Sequence, residues 1–167
     1  MTQHVLIIIK PDGILKGLSG LVLNKLEEAR LDITALRILK VSRKLAEEHY
    51  KHLKGEPFFE EVIEYLLGKY HKNKKVLALI LSGPNAINKC RKLAGATNPE
   101  AAEPTSIRGS FGRITTKGVF ENVLHVSSNK EEAEREIKLW FTPEEIIGKI
   151  YKTKEIIVKS QKKKVWT

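Results

Sequence analysis

"HVLIIIK", residues 4–10, is the stretch on which the fold turns. Val5–Ile9 is an unbroken apolar run, β-branched at every position but Leu6, and Pro11 and Gly13 stop it at once. Such a run reads as a buried strand. It is too short for a signal-peptide core or a membrane span. Working outward, "KVLALILS" (75–82) reads as a second buried strand and "NVLHV" (122–126) as a short one. "LDITALRILKVS" (31–42) alternates, which predicts a strand with Ile33, Ala35 and Ile38 turned inward. Helical spacing fills the gaps between these segments. "GLVLNKLEEAR" (20–30) sets Leu21, Leu23, Leu26 and Ala29 on roughly one face, and "SRKLAEEHY" (42–50) is a short helix opened by Ser42. "PFFEEVIEYLLGKY" (57–70) opens on Pro57 and aligns Phe58, Val62, Tyr65 and Leu66. "GPNAINKCRKLAG" (83–95) is a helix ended by Gly95. "SSNKEEAEREIKLW" (127–140) has Ser128 and Glu131 at capping-box spacing.

Strands interleaved with helices predict one sheet covered by helices, an α/β chain of the α+β kind. The order fits a ferredoxin-like βαββαβ antiparallel sheet. Residues 96–120, rich in Gly, Pro, Thr and Ser, are predicted as a long loop. A loop of that length within a small domain tends to be functional.

With 167 residues the first expectation is one domain with a substantial core. A single cysteine, Cys90, excludes an intrachain disulfide. The chain reads as soluble and cytoplasmic. Of its net charge of +10, residues 149–167 carry +6, from seven lysines and one glutamate. The body is therefore only mildly basic, which suits an anionic ligand such as a nucleotide. The Lys162–Lys164 run offers weak support for nucleic-acid contact; a solvated terminus is the commoner explanation of such a run.

No phosphate-cradling glycine motif is present, so side chains must hold any bound phosphate. The candidates are Lys10 at the end of the first strand, Arg91, and Arg108 in "SIRGSFG". Arginine suits this work because its planar fork donates two parallel hydrogen bonds. Thr97 and Asn122 are further donors, and Tyr50 and Phe58 offer aromatic faces. His125 stands alone at the end of an apolar run. No metal site is expected: His49 and His52 are three residues apart but lack a matching partner. There is no nucleophile-elbow motif.

"IIIKPDGILKG", "AEEHYKHLKGEPFF", "GPNAINKCRKLAGATNPEAAEP", "SIRGSFG", "NVLHVSS" and "EEAEREIKLWF" follow one another in this order. On these motifs the chain resembles nucleoside diphosphate kinase over residues 4–145. The resemblance implies transfer of the γ-phosphoryl group of ATP to nucleoside diphosphates through a phosphohistidine, with ping-pong kinetics; the alternative is a catalytically weak member of the family acting as a nucleotide- or nucleic-acid-binding regulatory protein. The resemblance also implies His125 as nucleophile and Glu136 as the carboxylate that orients it. Lys10, Tyr50, Arg91, Thr97 and Arg108 match positions at or beside the phosphates, Lys10 and Asn122 also those that hold the ribose. Phe58 matches the ring that stacks on the base, with Val119 opposite. Mg²⁺ would arrive on the nucleotide phosphates. A homo-oligomer, hexamer or tetramer, is implied, with a domain over residues 1–145 and a basic extension over 146–167. The chain departs from the family at His125-Val126-Ser127-Ser128, where His-Gly-Ser-Asp or His-Ala-Ser-Asp is usual, and at Ser110, where aspartate is usual. It also carries about four additional residues between Arg108 and Asn122.

Overall fold

β1 (Thr2–Ile9) runs through the middle of the molecule, with Val5, Leu6, Ile7, Ile8 and Ile9 all without exposed surface. The structure is a computed structural model and describes residues 1–116 and 118–157. Successive strand residues face opposite ways. Val5, Ile7 and Ile9 therefore enter one apolar core, and Leu6 and Ile8 a second. Each such side chain contributes about 1.5–3 kcal/mol by leaving water. A strand buried on both faces needs neighbours on both edges. β1 pairs antiparallel with β3 (Lys75–Pro84) on one side and with β6 (Leu124–Val126) on the other. β2 (Asp32–Lys40) pairs antiparallel with β3. The sheet order is β2-β3-β1-β6, a ferredoxin-like arrangement.

The first core is closed by Val22 and Leu26 of α2 (Ser19–Glu27), by Ala86, Ile87 and Cys90 of α5 (Ala86–Ala94), and by Ile107 of α6 (Ile107–Phe111). The second is closed by Ala46 of α3 (Arg43–His49), Ile63 and Leu66 of α4 (Phe59–Leu66), and Ile137 and Trp140 of α7 (Lys130–Trp140). A five-residue helix, α1 (Pro11–Leu15), follows β1 directly, with proline in its first turn. Ser42 caps α3 by accepting from the Leu45 N–H.

Several expectations need correction. In β2 only Ala35 is buried; Ile33 and Ile38 are 42% and 64% exposed. A register shift between Ile33 and Ala35 interrupts the alternation, and Ile38, three residues past Ala35, takes the opposite face. β2 is also the sheet's edge, so less covers it. In α2 the buried positions are Val22 and Leu26, while Leu21 is 53% exposed. In α4, Tyr65 and Leu66 are buried as expected, but Ile63 takes the place assigned to Phe58 and Val62. α7 is capped by Asn129, whose Oδ1 accepts from the Glu132 N–H at 2.8 Å, so the Ser128–Glu131 box does not form. Asparagine caps as well as serine does, and starting one residue later places Ala133, Glu136, Ile137 and Trp140 on the inner face. The 96–120 segment is not all loop. It holds a 3₁₀ turn (Pro99–Ala101), α6, and a hairpin of β4 (Arg113–Ile114) with β5 (Phe120–Glu121). The Lys162–Lys164 run lies outside the described residues.

Candidate active site

The sharpest local feature is the segment joining β5 to β6. Val123 has φ of 68°, in the left-handed region that a β-branched residue enters only under strain. Such a conformation costs about 1–3 kcal/mol and persists only where its surroundings enforce it. Here they do. The Val123 N–H donates to Asp12 Oδ2 at 3.0 Å, and the Lys10 N–H donates to the Val123 carbonyl at 2.8 Å. Gly13 leaves room for the turn: a Cβ there would lie 3.0 Å from both the Val123 carbonyl oxygen and Ile9. The Pro-Asp-Gly turn thus braces the residue between Asn122 and the strand that carries His125.

His125 pairs with Ile8 across the β1–β6 ladder, with Val126 buried on the reverse side. Its Nε2 lies 3.0 Å from Glu136 Oε2. The same oxygen accepts from the Ser127 hydroxyl at 2.6 Å, and Ser127 Oγ accepts from the Leu6 N–H at 3.1 Å. With Nε2–H donating to the carboxylate, Nδ1 holds the free lone pair. Burial lowers the His125 pKa well below its ordinary value, and Lys10 and Arg108 lower it further, so the ring is neutral at pH 7. Burial raises the Glu136 pKa, against the pull of His49, Ser127 and Arg135. His49, fully buried, packs edge-on to His125 at 4.4 Å between ring centroids and accepts from the Trp140 indole N–H at 3.1 Å. Among the described residues, His49, His125 and Glu136 place three potential metal-binding atoms within 4.8 Å of one another. Glu136 Oε2 is held by His125 and Ser127, and His49 Nδ1 by Trp140, which argues for a hydrogen-bonded frame.

In front of His125 opens a cleft of about 890 Å³. All ten residues expected at a site line it: Lys10, Tyr50, Phe58, Arg91, Thr97, Arg108, Val119, Asn122, His125 and Glu136. Lys10 Nζ donates to Asn122 Oδ1 at 2.8 Å, and Asn122 Nδ2 donates to the Thr97 carbonyl at 2.9 Å. Arg108 spends two donors on the carbonyls of Gly95 (2.8 Å) and Leu124 (3.0 Å), which fixes the plane of its guanidinium. Gly95, with φ of 83°, ends α5 and turns that carbonyl toward Arg108. Burial pushes the Lys10 pKa down to about 8, with Arg108 adding to the effect and Asp12 opposing it. The Arg108 pKa falls to about 10, through burial and then Arg91. Cations held this close against one another form a site for an anion. Burial pushes the Tyr50 phenol up, so it stays protonated. Phe58 is 47% exposed and, with the buried Val119, walls the far end.

The ten expected from the sequence meet in one cleft, but their supports were not expected. Asp12, His49 and Trp140 carry no pattern of their own. The one available signal was adjacency, Asp12 within Pro-Asp-Gly and His49 beside Tyr50.

The nucleoside diphosphate kinase family model matches residues 3–146. A nucleoside diphosphate kinase of Symbiobacterium thermophilum is 46% identical over 139 residues, 83% of this chain and 87% of that protein. One from Thermococcus kodakarensis is 42% identical over 144 residues, 86% of this chain and 79% of that protein. Among solved structures, the Borrelia burgdorferi enzyme with bound vanadate and ADP, described as a transition-state mimic, superposes with a TM-score of 0.79 at 34% identity. That match covers 91% of this chain and 93% of that one. A halophilic enzyme from Halobacterium salinarum in complex with CDP gives 0.80 at 29% identity, covering 90% and 95%. A neutral histidine on a carboxylate, facing a cationic cleft on a ferredoxin-like sheet, thus sits in a chain that belongs to the nucleoside diphosphate kinase family, enzymes of phosphoryl transfer.

Proposed function

We propose that His125 is the phosphoryl carrier, moving the γ-phosphoryl group of ATP to nucleoside diphosphates in two half-reactions. The observation that carries this is the His125 Nε2–Glu136 hydrogen bond at 3.0 Å, which leaves Nδ1 as the nucleophilic nitrogen. In the first half-reaction Nδ1 attacks the γ-phosphorus, the bond to the bridging oxygen breaks, and the diphosphate departs with that bonding pair. In the second, an acceptor diphosphate oxygen attacks the phosphohistidine and Nδ1 recovers its pair. Glu136 orients the ring and stabilises positive charge that develops on it. Lys10, Arg91 and Arg108 neutralise the phosphate oxygens, with Tyr50 and Thr97 as neighbouring donors, and Asn122 with Lys10 holds the ribose. Phosphoryl transfer demands mainly such positioning and neutralisation. The base lies between Phe58 and Val119; since every base has a π-face, stacking gives a broad range of acceptors. Lys10, Arg91 and Arg108 line the cleft, and among the described residues its carboxylates, Glu61, Glu132 and Glu136, do not cluster with one another as metal ligands, a donor set that fits Mg²⁺ carried in on nucleotide phosphates. Bound there, it would supply further charge neutralisation.

Residues 1–145 are taken as the kinase domain and 146–167 as a basic extension. The exposed Ile33, Leu36 and Ile38 along the sheet-edge strand β2 support a homo-oligomer, hexamer or tetramer. The absence, among described residues, of any helix long and apolar enough to cross a membrane is compatible with a cytoplasmic enzyme. The test is covalent. With labelled ATP and no acceptor, label should attach to His125, survive base and be lost in acid; a His125→Ala protein that still takes up acid-labile label would refute the assignment.

A further inference from the structure

Glu121 has no part in the chemistry above, yet it is a buried carboxylate that meets three basic side chains. Its side chain is only 7% exposed. Oε2 receives Lys16 Nζ at 2.7 Å and Arg113 Nε at 2.7 Å; Oε1 receives Arg113 Nη2 at 3.3 Å and lies 3.0 Å from His71 Nε2. These partners come from three separate places: the end of α1, the segment after α4, and β4. A buried carboxylate is costly unless it is paired on every side. Burial raises the Glu121 pKa, but the hydrogen bonds from Arg113, Lys16 and His71 outweigh that and hold it near about 2.

The position of Glu121 in the chain gives this cluster a use. Arg113 and Glu121 are cross-strand partners of the β4–β5 hairpin. Its turn is closed by the Thr115 N–H donating to the Val119 carbonyl and the Val119 N–H donating to Thr115 Oγ1, at 3.0 and 3.1 Å. Val119 walls the cleft two residues before Glu121, and Asn122 enters it one residue after. His71 extends the connection: its ring meets Tyr65 edge-on at 5.1 Å, and Tyr65 lines the cleft with Lys10 Nζ 5.3 Å from its ring centroid. Asp12 braces the strained Val123 directly; Glu121, two residues earlier, ties down the hairpin that leads into it.

We infer that Glu121 is a positioning residue for nucleotide binding, an ionic anchor that sets the hairpin carrying Val119 and the side chain of Asn122 against the nucleoside. It acts on the ribose and base end and leaves His125, Glu136 and Arg108 alone, because its contacts reach none of them. The inference rests on the proposed orientation of the nucleotide, base toward Phe58 and Val119.

The test uses the full-length chain and ADP. In Glu121→Gln, calorimetric Kd and steady-state KM for ADP should rise about tenfold, the scale of losing charge-assisted hydrogen bonds at a buried group. kcat at saturation should stay within about twofold of wild type, and Glu121→Asp should recover part of the affinity. A lowered melting temperature with unchanged Kd would make Glu121 a structural residue only and overturn the inference. Should Glu121→Gln fail to fold, Arg113→Met decides, since that side chain is 64% exposed and its loss leaves the core intact. There, ADP affinity should fall about threefold, and an unchanged Kd would overturn the inference. Binding is measured without turnover. A wild-type protein that binds ADP yet forms no phosphohistidine would sink the proposed function while leaving the anchor standing.

Discussion

At the scale of single residues the site is governed by one imbalance: cations crowd the neutral ring of His125. Lys10 responds most visibly, its pKa pushed down from 10.5 to about 8 by burial first and Arg108 second. The Lys10 ammonium, proposed to face phosphate, is therefore lost as pH rises through about 8. We expect kcat/KM to fall on an alkaline limb with an apparent pKa near 8, and this limb to vanish in Lys10→Ala, whose activity is low throughout. A flat wild-type profile to pH 9.5 would contradict this. The stability consequence has the opposite sign. Between about 8 and 10.5 the unfolded chain holds the Lys10 proton and the folded one does not, so this residue's contribution to stability improves with rising pH. On the acid side His125 stays neutral well below 6.5, so it imposes no decline near that pH.

At the scale of elements, α7 shows how a backbone detail reaches the chemistry. It carries Glu136, and its first turn is tied by Asn129. Asn129→Ala should destabilise the protein by about 1 kcal/mol, read as a lower thermal midpoint, whereas Ser128→Ala should leave it nearly unchanged. The reverse ranking would restore the capping box expected from sequence. The same contrast shows what was legible. β1 and β3 announce themselves because strands buried on both faces must be apolar throughout. β2 does not follow its alternation, because a register shift and an uncovered edge free Ile33 and Ile38 from the core. The hairpin of β4 and β5 has two-residue strands, too short to leave a period, and its Glu121 anchor draws on residues up to 105 positions away, Lys16 being the farthest. Of the site, Lys10, His125 and the rest came from motifs in register. The residues that hold them, such as His49 and Asp12, act through contacts that only the folded chain brings about.

At the scale of the whole molecule, the segment after α7 is a cover and not a loose end. Arg37 Nη1 donates to both Glu145 carboxylate oxygens at 2.6 and 2.7 Å, the Ile147 N–H donates to the Thr34 carbonyl, and Ile146, Ile150 and Tyr151 pack against the second core. A chain ended after Phe141 should therefore melt several degrees lower, on the scale of losing one or two kcal/mol from a small protein. Its phosphohistidine formation at low temperature should persist. A chain ended after Ile157 should match wild type in both; activity lost there with the fold intact would put the terminal lysines in the site. Trp140 lies where this cover meets the frame behind His125, its indole N–H bonded to His49 and His49 in turn edge-on to the His125 ring. The sequence has one other tryptophan, Trp166, near its end. The protein thus carries its own optical reporter: an indole excited state two rings away from the atom proposed to gain and lose a dianionic group. Adding ATP without acceptor should shift the emission of Trp140, a diphosphate should return it, and His125→Ala should hold it constant, so that each half of the cycle can be timed by light from the unlabelled enzyme.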